Sequence, residues 1–186
     1  HQTQQTDFGS EMEIDRPVSV GSVFLRLLSR EDKKQLRECQ TDDEFNRRKE
    51  RDADHFIGSK LNLRTRRGWI DLLIVRANST CFMGAHNARF WLLSKNRGAS
   101  IRSYVKLFDV QADGFYIGNS TKRDFPELAT MSHTAIENFT ETLRYTRGKY
   151  RVVSCYARPN GDESNPPRQI RCSKYNGQFR EQSSPN

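Results

Sequence analysis

Long hydrophobic runs, closely spaced cysteine pairs and common catalytic signatures are all missing from this sequence. No apolar stretch approaches the roughly 18 residues that a membrane-spanning helix needs. The four cysteines show no CxxC spacing, which argues against a zinc ribbon. The chain also lacks the Gly-x-Ser-x-Gly elbow of many hydrolases and any helix-turn-helix or RNA-binding signature. The sequence therefore predicts no membrane span, and nucleic acid is a partner class that no motif supports.

Hydrophobic residues are scarce, at 34% of the 186 positions. A chain of this length can still bury the core of one domain. The apolar residues are concentrated between Phe56 and Ala157, so we expect the core to be built from that part of the chain.

The net charge of +8 is unevenly distributed. Residues 1–55 carry 10 Lys or Arg against 13 Asp or Glu, while residues 56–186 carry 21 against 10. A basic body after an acidic N-terminal part (residues 1–55) indicates attraction to an anionic protein or polymer. Solubility alone is the other interpretation, and oligomeric state cannot be read from these patterns.

The cysteines leave two interpretations, two disulfides or buried thiols. Cys155 and Cys172 flank a Pro/Gly/Asn-rich loop and could bridge neighbouring strands, which leaves Cys39 with Cys81. The first residue is His1 rather than Met, and removal of a signal peptide is one explanation. We therefore expect a secreted or periplasmic protein.

The chain divides into four predicted regions: a flexible leader at 1–16, a helical segment at 17–55, a β-rich body at 56–180 and a tail at 181–186. In the helical segment, Ser29 with Asp32 predicts one helix cap, and Thr41 with Glu44 predicts a second. Leu36 and Phe45 are expected to face inward. Together the regions predict one globular domain.

Strand-like runs separated by turn residues fill the body. The run Trp69–Val75 is continuously apolar enough for a central strand. Gly98, Gly148 and Gly177 are predicted hairpin tips with aromatics on the flanking strands. The predicted fold class is α+β, with a predominantly antiparallel β sheet or a small barrel or sandwich and charged N-terminal helices.

Three segments of the body occur in a recognisable order, namely Asp71-Leu72-Leu73-Ile74-Val75, Cys81-Phe82-Met83-Gly84-Ala85-His86-Asn87-Ala88-Arg89-Phe90-Trp91 and Tyr145-Thr146-Arg147-Gly148-Lys149-Tyr150. This order resembles uncharacterised secreted or periplasmic bacterial proteins with a Gly-Ala-His-Asn loop, and is similar in style to integrin-like (FG-GAP-style) β repeats. The resemblance implies a β-rich exported protein. Such repeats commonly hold calcium in an acidic turn. Here Arg64, Arg66 and Arg67 occupy that turn, so no cofactor is expected.

The loop Gly84-Ala85-His86-Asn87 is the segment of the sequence that most resembles a catalytic loop. His86 is a catalytic candidate because histidine is the usual general acid or base at physiological pH, and Cys81 and Asp71 are the other weak candidates. The alternative is a His and an Asn that order a turn by hydrogen bonding to the backbone. We favour the alternative, because five residues of separation do not establish a Cys/His pair.

A metal site is the second chemical hypothesis. His86 and His133 occupy comparable places in two similar halves of the body, with Asp71 and Glu127 before them. Ligands from both halves would have to meet around one ion, and such sites usually show closer sequence spacing. The prediction is therefore no metal.

Basic residues stand beside aromatics in four places: Arg89-Phe90-Trp91, Arg102-Ser103-Tyr104, Arg144-Tyr145 and Lys149-Tyr150-Arg151. On one sheet face, aromatics could stack on bases or sugars while cations meet phosphates or carboxylates. Strand alternation instead places neighbours on opposite faces, with aromatics in the core and cations in solvent. The predicted binding residues are Arg64, Arg66, Arg67, His86, Asn87, Arg89, Arg144, Arg147 and Lys149.

Taken together, these patterns favour a non-enzymatic extracytoplasmic binding module, with an inhibitor or partner of a secreted protein as one form of it. The ligand would be an anionic protein or polymer. The alternative is a small hydrolase that uses His86.

Overall fold

Two antiparallel sheets and two helices make up the part of the chain that the structure, a computed structural model, describes. That part comprises residues 5–41, 55–84, 86–95, 104–118, 122–162 and 164–172, without the side chains of residues 39–41 and 80. The helices are α1 (Ser22–Leu27) and α2 (Arg30–Thr41), with a short 3-10 turn at Thr80–Phe82. The strands are β1 (Asp7–Gly9), β2 (Val18–Ser19), β3 (Phe56–Thr65), β4 (Gly68–Ala77), β5 (Ala88–Lys95), β6 (Tyr104–Ala112), β7 (Gly114–Ile117), β8 (Leu128–His133), β9 (Glu137–Thr146), β10 (Lys149–Pro159) and β11 (Arg168–Ile170).

The strands form a six-stranded sheet A, in the order β1-β7-β8-β9-β10-β11, and a five-stranded sheet B, in the order β2-β3-β4-β5-β6. All neighbouring strands pair antiparallel. Only Asp113 separates β6 from β7, so the chain passes from sheet B to sheet A at that residue. The predicted α+β class with a mostly antiparallel body is confirmed. The described strands form two sheets rather than a closed barrel.

The main core lies between the two sheets. Phe90 of β5 and Phe108 of β6 both stack against Phe115 of β7, with ring centroids 5.9 and 6.2 Å apart. Aliphatic side chains of both sheets complete this core: Leu61, Leu72, Ile74, Leu92, Ile117, Leu128 and Leu143. Alternate residues of one strand contribute to it, such as Leu72 and Ile74 of β4 or Phe90 and Leu92 of β5, as face-to-face packing of pleated sheets requires.

A second core lies on the other face of sheet B, beneath the helices. Trp91, 1% exposed, packs edge-on against Phe24 of α1 at 5.3 Å and Phe56 of β3 at 5.5 Å between centroids. Because sheet B is covered on both faces, β4 is buried continuously from Leu72 to Ala77. This burial explains the unbroken apolar run that predicted a central strand.

Within the predicted leader at 1–16, the described residues from 5 onward include the short strand β1. β1 pairs with β7, and Phe8 at its centre is fully buried. The buried Arg76 of β4 donates hydrogen bonds to the carbonyls of Gly9 and Met12, which holds the segment against the sandwich. A strand of three residues is too short to show a period-two pattern in the sequence.

The predicted cap of α2 is confirmed in detail. The Asp32 backbone N–H donates to Ser29 Oγ at 3.0 Å, and the Ser29 N–H donates to Asp32 Oδ2 at 3.2 Å. Leu36 faces the core, as expected, with 5% exposure. The second predicted helix, with Phe45, lies outside the described residues, as do the hairpin tips at Gly98 and Gly177.

The disulfide between Cys155 and Cys172 is confirmed, with their Cα atoms 5.3 Å apart. It links β10 to the residues just after β11, its neighbour in sheet A. Cys81 is also disulfide-bonded, and the side chain of Cys39 lies outside the described residues. Among those residues, no helix has the length and apolar character that would let it cross a membrane.

Candidate functional site

A cleft of about 680 Å³ opens where two hairpin tips and one long loop meet. The β3–β4 turn comes from sheet B, the β9–β10 turn comes from sheet A, and the loop joins β7 to β8. Five lining side chains are cationic: Arg66, Arg67, Lys122, Arg123 and Arg147. Among the described lining residues Asp124 is the acidic one, and the apolar ones are Ile70, Phe125 and Tyr145, which we call the floor of the cleft.

The β3–β4 turn displays two arginines at its tip because its backbone is fixed from inside. Thr65 Oγ1 donates to the Gly68 carbonyl at 2.7 Å and accepts the Arg67 N–H at 3.2 Å. Gly68 has a φ of +106°, a conformation that favours glycine. Arg66 and Arg67 are therefore left as the two central residues, both exposed.

The β9–β10 turn carries Arg147 in a similar way. Arg147 and Gly148 have φ values of +51° and +84°, which is the type I′ arrangement of a two-residue hairpin. Thr146 and Lys149 pair directly across the turn. The predicted Gly148 hairpin tip is thus confirmed, and its geometry places Arg147 at the rim of the cleft.

The β7–β8 loop is anchored to both sheets. The Arg66 N–H donates to the Arg123 carbonyl at 2.8 Å, which links the loop to sheet B. The Tyr150 hydroxyl of sheet A donates to the Pro126 carbonyl at 3.0 Å in a buried hydrogen bond. Burial first, and Tyr145 second, raise the pKa of Tyr150 far above its ordinary value, so this hydroxyl remains a donor.

Aromatic rings form the floor of the cleft and connect it with the core. Phe125 and Tyr145 are in contact, with centroids 4.2 Å apart and planes inclined by 41°. Tyr145 packs edge-on against Tyr150 at 5.2 Å, and Tyr150 packs against Phe108 at 5.8 Å. Rings in such contacts form a rigid apolar surface, which a planar or ring-shaped ligand group can stack on.

Two carboxylates organise some of the cations. Asp124 accepts from Arg66 at 2.9 Å and from Arg67 at 2.8 Å. Glu127 accepts from Arg144 Nε at 2.6 Å and lies 3.7 Å from Arg123. These pairs hold the guanidinium groups in place around the loop.

The remaining cations make the cleft electropositive. Within the described part of the chain, Lys122 and Arg147 form no ion pair. Among the described residues, five cations and one carboxylate line the cleft, so the described lining carries an excess of positive charge. An anion that enters it would meet donors that no protein carboxylate fully neutralises.

The structure brings part of the predicted binding set together. Arg66, Arg67 and Arg147 line the cleft, although they come from different sheets. Arg144 lies beside it, paired with Glu127, and Arg64 and Lys149 are exposed on strands that lead to its rim.

Arg89 is not part of the cleft. Its guanidinium group is largely buried, 2.9 Å from Asp109 and 3.8 Å from Asp32, with its central carbon 6.0 Å from the Trp91 ring centre. This arrangement ties α2 to sheet B and identifies Arg89 as a structural residue rather than a surface cation.

The Gly84–Asn87 loop lies elsewhere on the molecule. Asn87 Oδ1 accepts the Gly84 N–H at 3.1 Å and the Gln111 amide at 2.7 Å, so Asn87 orders the turn. His86 is exposed, and its ring contacts that of His133 with centroids 5.4 Å apart.

The two other catalytic candidates do not supply a partner for His86. Cys81 is disulfide-bonded and has no thiol to act as a nucleophile. Asp71 is exposed on β4, where it accepts from Asn62 Nδ2 at 2.5 Å. The Cys81/His86 pair considered from the sequence is therefore not available.

Sequence reasoning considered Tyr145 beside Arg144 but missed Lys122, Arg123 and Phe125 as parts of the site. The signal was present, because Lys122-Arg123-Asp124-Phe125 sets cations beside an aromatic residue in the same way as the segments that were considered. Only the packing of the two sheets shows that this loop meets both hairpin tips.

Comparison with protein-family models, with curated proteins and with solved structures gives no significant match to this chain. The function is therefore inferred from the cleft itself. Among the described residues, no group of three or more His, Cys, Asp or Glu side chains is arranged to hold a metal ion.

Proposed function

We propose that this protein is a non-enzymatic, extracytoplasmic binding module whose basic cleft holds an anionic polymer, with an acidic polysaccharide as the favoured class. The observation that carries the proposal is the meeting of five cations and one carboxylate over a floor of two aromatic rings. Arginine and lysine bind carboxylate, sulfate or phosphate groups, and an aromatic floor favours a partner with rings.

The aromatic floor is what favours a polysaccharide over an acidic peptide. A chain of Glu or Asp residues would satisfy the cations and leave Tyr145 and Phe125 uncovered. A sugar ring carrying a carboxylate or sulfate can place its apolar face on the floor and its charge on Arg147 or Lys122. The disulfide between Cys155 and Cys172 supports a location in an oxidising compartment outside the cytoplasm.

The decisive experiment is a titration with heparin oligosaccharides. Binding is measured by calorimetry and by the fluorescence of Trp69. Trp69 is 59% exposed on the β3–β4 hairpin, two positions after Arg67, whereas Trp91 is buried. Affinity is expected to fall at least about 10-fold when NaCl is raised from about 50 to about 500 mM, because exposed charge pairs are screened. Flat salt dependence would refute a charge-driven cleft.

A double variant, Arg67→Gln with Arg147→Gln, should weaken heparin binding roughly 10-fold at low salt, since each exposed pair contributes up to about 1 kcal/mol. The matched control is Arg37→Gln with Lys60→Gln, which removes the same charge from exposed positions on α2 and on the helix side of β3. Equal losses in both double variants would show attraction to the net charge alone. Tighter binding of polyglutamate than of heparin would identify an acidic protein as the partner.

A further inference from the structure

Two histidines that are 47 positions apart in the sequence meet at a place well separated from the cleft. His86 lies in the loop before β5, and His133 ends β8. Their ring centroids are 5.4 Å apart, with an angle of 47° between the planes. β8 begins at Leu128, just after the cleft loop, so its length of six residues puts about 17 Å between the cleft end and the histidine end.

The separation of the rings suits a shared metal ion. An ion held at ~2.0–2.1 Å from one nitrogen of each imidazole in tetrahedral geometry places the two ring centroids about 5 Å apart. The observed distance of 5.4 Å lies close to that value. Imidazole ligands bind Zn²⁺, Cu²⁺ and Ni²⁺ better than they bind hard cations such as Mg²⁺ and Ca²⁺.

Asp113 fixes the state in which His133 can act as a ligand. The His133 Nδ1 atom lies 2.6 Å from Asp113 Oδ2. Because a carboxylate can only accept, Nδ1 carries the proton of this hydrogen bond, and the neutral ring then offers the lone pair of Nε2. A carboxylate behind a histidine is the usual way in which proteins orient a metal ligand and raise its basicity.

Ser10 connects the segment that carries His86 with the segment that carries Asp113. Its backbone N–H donates to the Asp113 carbonyl at 2.7 Å, and its hydroxyl donates to the His86 carbonyl at 2.8 Å. Ser10 is itself buried, with 7% of its surface exposed. The backbones that carry His86 and Asp113 are thus connected through one buried residue, which reduces the ordering that ligand binding would require.

From this geometry we propose that His86 and His133 bind one divalent transition-metal ion, with Zn²⁺ as the type case and Asp113 as the positioning residue of His133. Both rings are accessible, since His86 is exposed and the His133 side chain is 39% exposed. Two imidazoles are fewer ligands than a closed structural site has, so water completes the coordination and the ion is exchangeable. The proposal does not depend on the cleft.

The test is calorimetric titration of the intact protein with Zn²⁺, paired with electron paramagnetic resonance of the Cu²⁺-loaded protein. We expect one saturable Zn²⁺ site and a copper spectrum with hyperfine splitting from two nitrogens. His86→Gln and His133→Gln should each lower Zn²⁺ affinity at least about 10-fold and leave one nitrogen ligand or none. Asp113→Asn should lower affinity about 10-fold while both nitrogens remain in the copper spectrum.

The matched control is His1→Gln, because the sequence has four histidines and His55 is buried beside Ser79. This control should bind Zn²⁺ as the parent protein does. Absence of saturable binding, unchanged affinity in either His86→Gln or His133→Gln, or loss of binding in the His1→Gln control would each overturn the proposal. Circular dichroism of each variant separates loss of the site from loss of the fold.

Discussion

Tyr150 is the residue through which the core supports the basic cleft, and its hydroxyl provides the sharpest test of that connection. The ring is buried between Phe108 and Tyr145. The hydroxyl donates to the carbonyl of Pro126, next to Phe125 of the cleft floor. The substitution Tyr150→Phe would keep the ring contacts and remove only this hydrogen bond.

The expected cost follows from burial. Pro126 is buried, so its carbonyl would lose its donor without gaining water, and a buried unsatisfied acceptor costs about 1–3 kcal/mol. For a chain of this size, a loss of 1 kcal/mol lowers Tm by roughly 2–4 °C. Tyr150→Phe should therefore lower Tm by roughly 2–12 °C. Heparin affinity should fall as well, because the loop that carries Phe125 loses an anchor.

Thermal unfolding followed by circular dichroism measures this loss, and Tyr145→Phe is the matched control. Tyr145 belongs to the same ring cluster and is only partly buried, and no hydrogen bond of its hydroxyl is found within the described residues. Its variant should stay within about 0.5 kcal/mol of the parent protein. If the two variants lose equal stability, or if Tyr150→Phe loses none, the buried hydrogen bond does not hold the loop.

Two further predictions concern the hairpin tip and the disulfide. Gly148→Ala should cost about 1–2 kcal/mol in urea unfolding from backbone strain alone, because its φ is +84° and nothing lies within 4 Å of an added Cβ. Gly21→Ala, equally open but with a φ of −80° at the N-cap of α1, should cost less than about 1 kcal/mol, and equal costs at both sites would contradict the strain argument. Replacing Cys155 and Cys172 with Ala should lower stability by about 3 kcal/mol, since the bridge closes a separation of 17 residues. The measurement is made without reductant, so that Cys81 stays oxidised. An unchanged Tm in this double variant would show that the pairing of β10 with β11 keeps the two strands together without the disulfide.

Local sequence predicted those features that depend on neighbouring residues. The cap of α2 is a contact between Ser29 and Asp32, three positions apart. The tip at Gly148 is set by two adjacent residues, and the burial of β4 appears directly as an apolar run. Interactions of this range leave a pattern in composition and spacing.

The cleft could not be predicted in the same way, because its parts meet only through the packing of the sheets. Arg66 and Asp124 are 58 positions apart, and Arg147 reaches the same place from sheet A. The histidines show the same limit. The sequence placed His86 and His133 in comparable positions, whereas the acid beside His133 is Asp113, not the Asp71 or Glu127 that the apparent duplication suggested. The turn of the chain from sheet B to sheet A at Asp113 accounts for that difference.

The distribution of ion pairs explains why the positive charge of the protein is available to a ligand mainly at the cleft. Across the body, many cations are paired with carboxylates, as Arg89 is with Asp109 and Arg168 is with Glu137. Where one carboxylate matches one cation, as in these two pairs, little positive charge remains for a ligand. Lys122 and Arg147 differ, because they project at the cleft without an ion pair among the described residues. Hairpin tips and one anchored loop hold them over an aromatic floor, so this is the surface where an anion would gain both charge neutralisation and apolar contact.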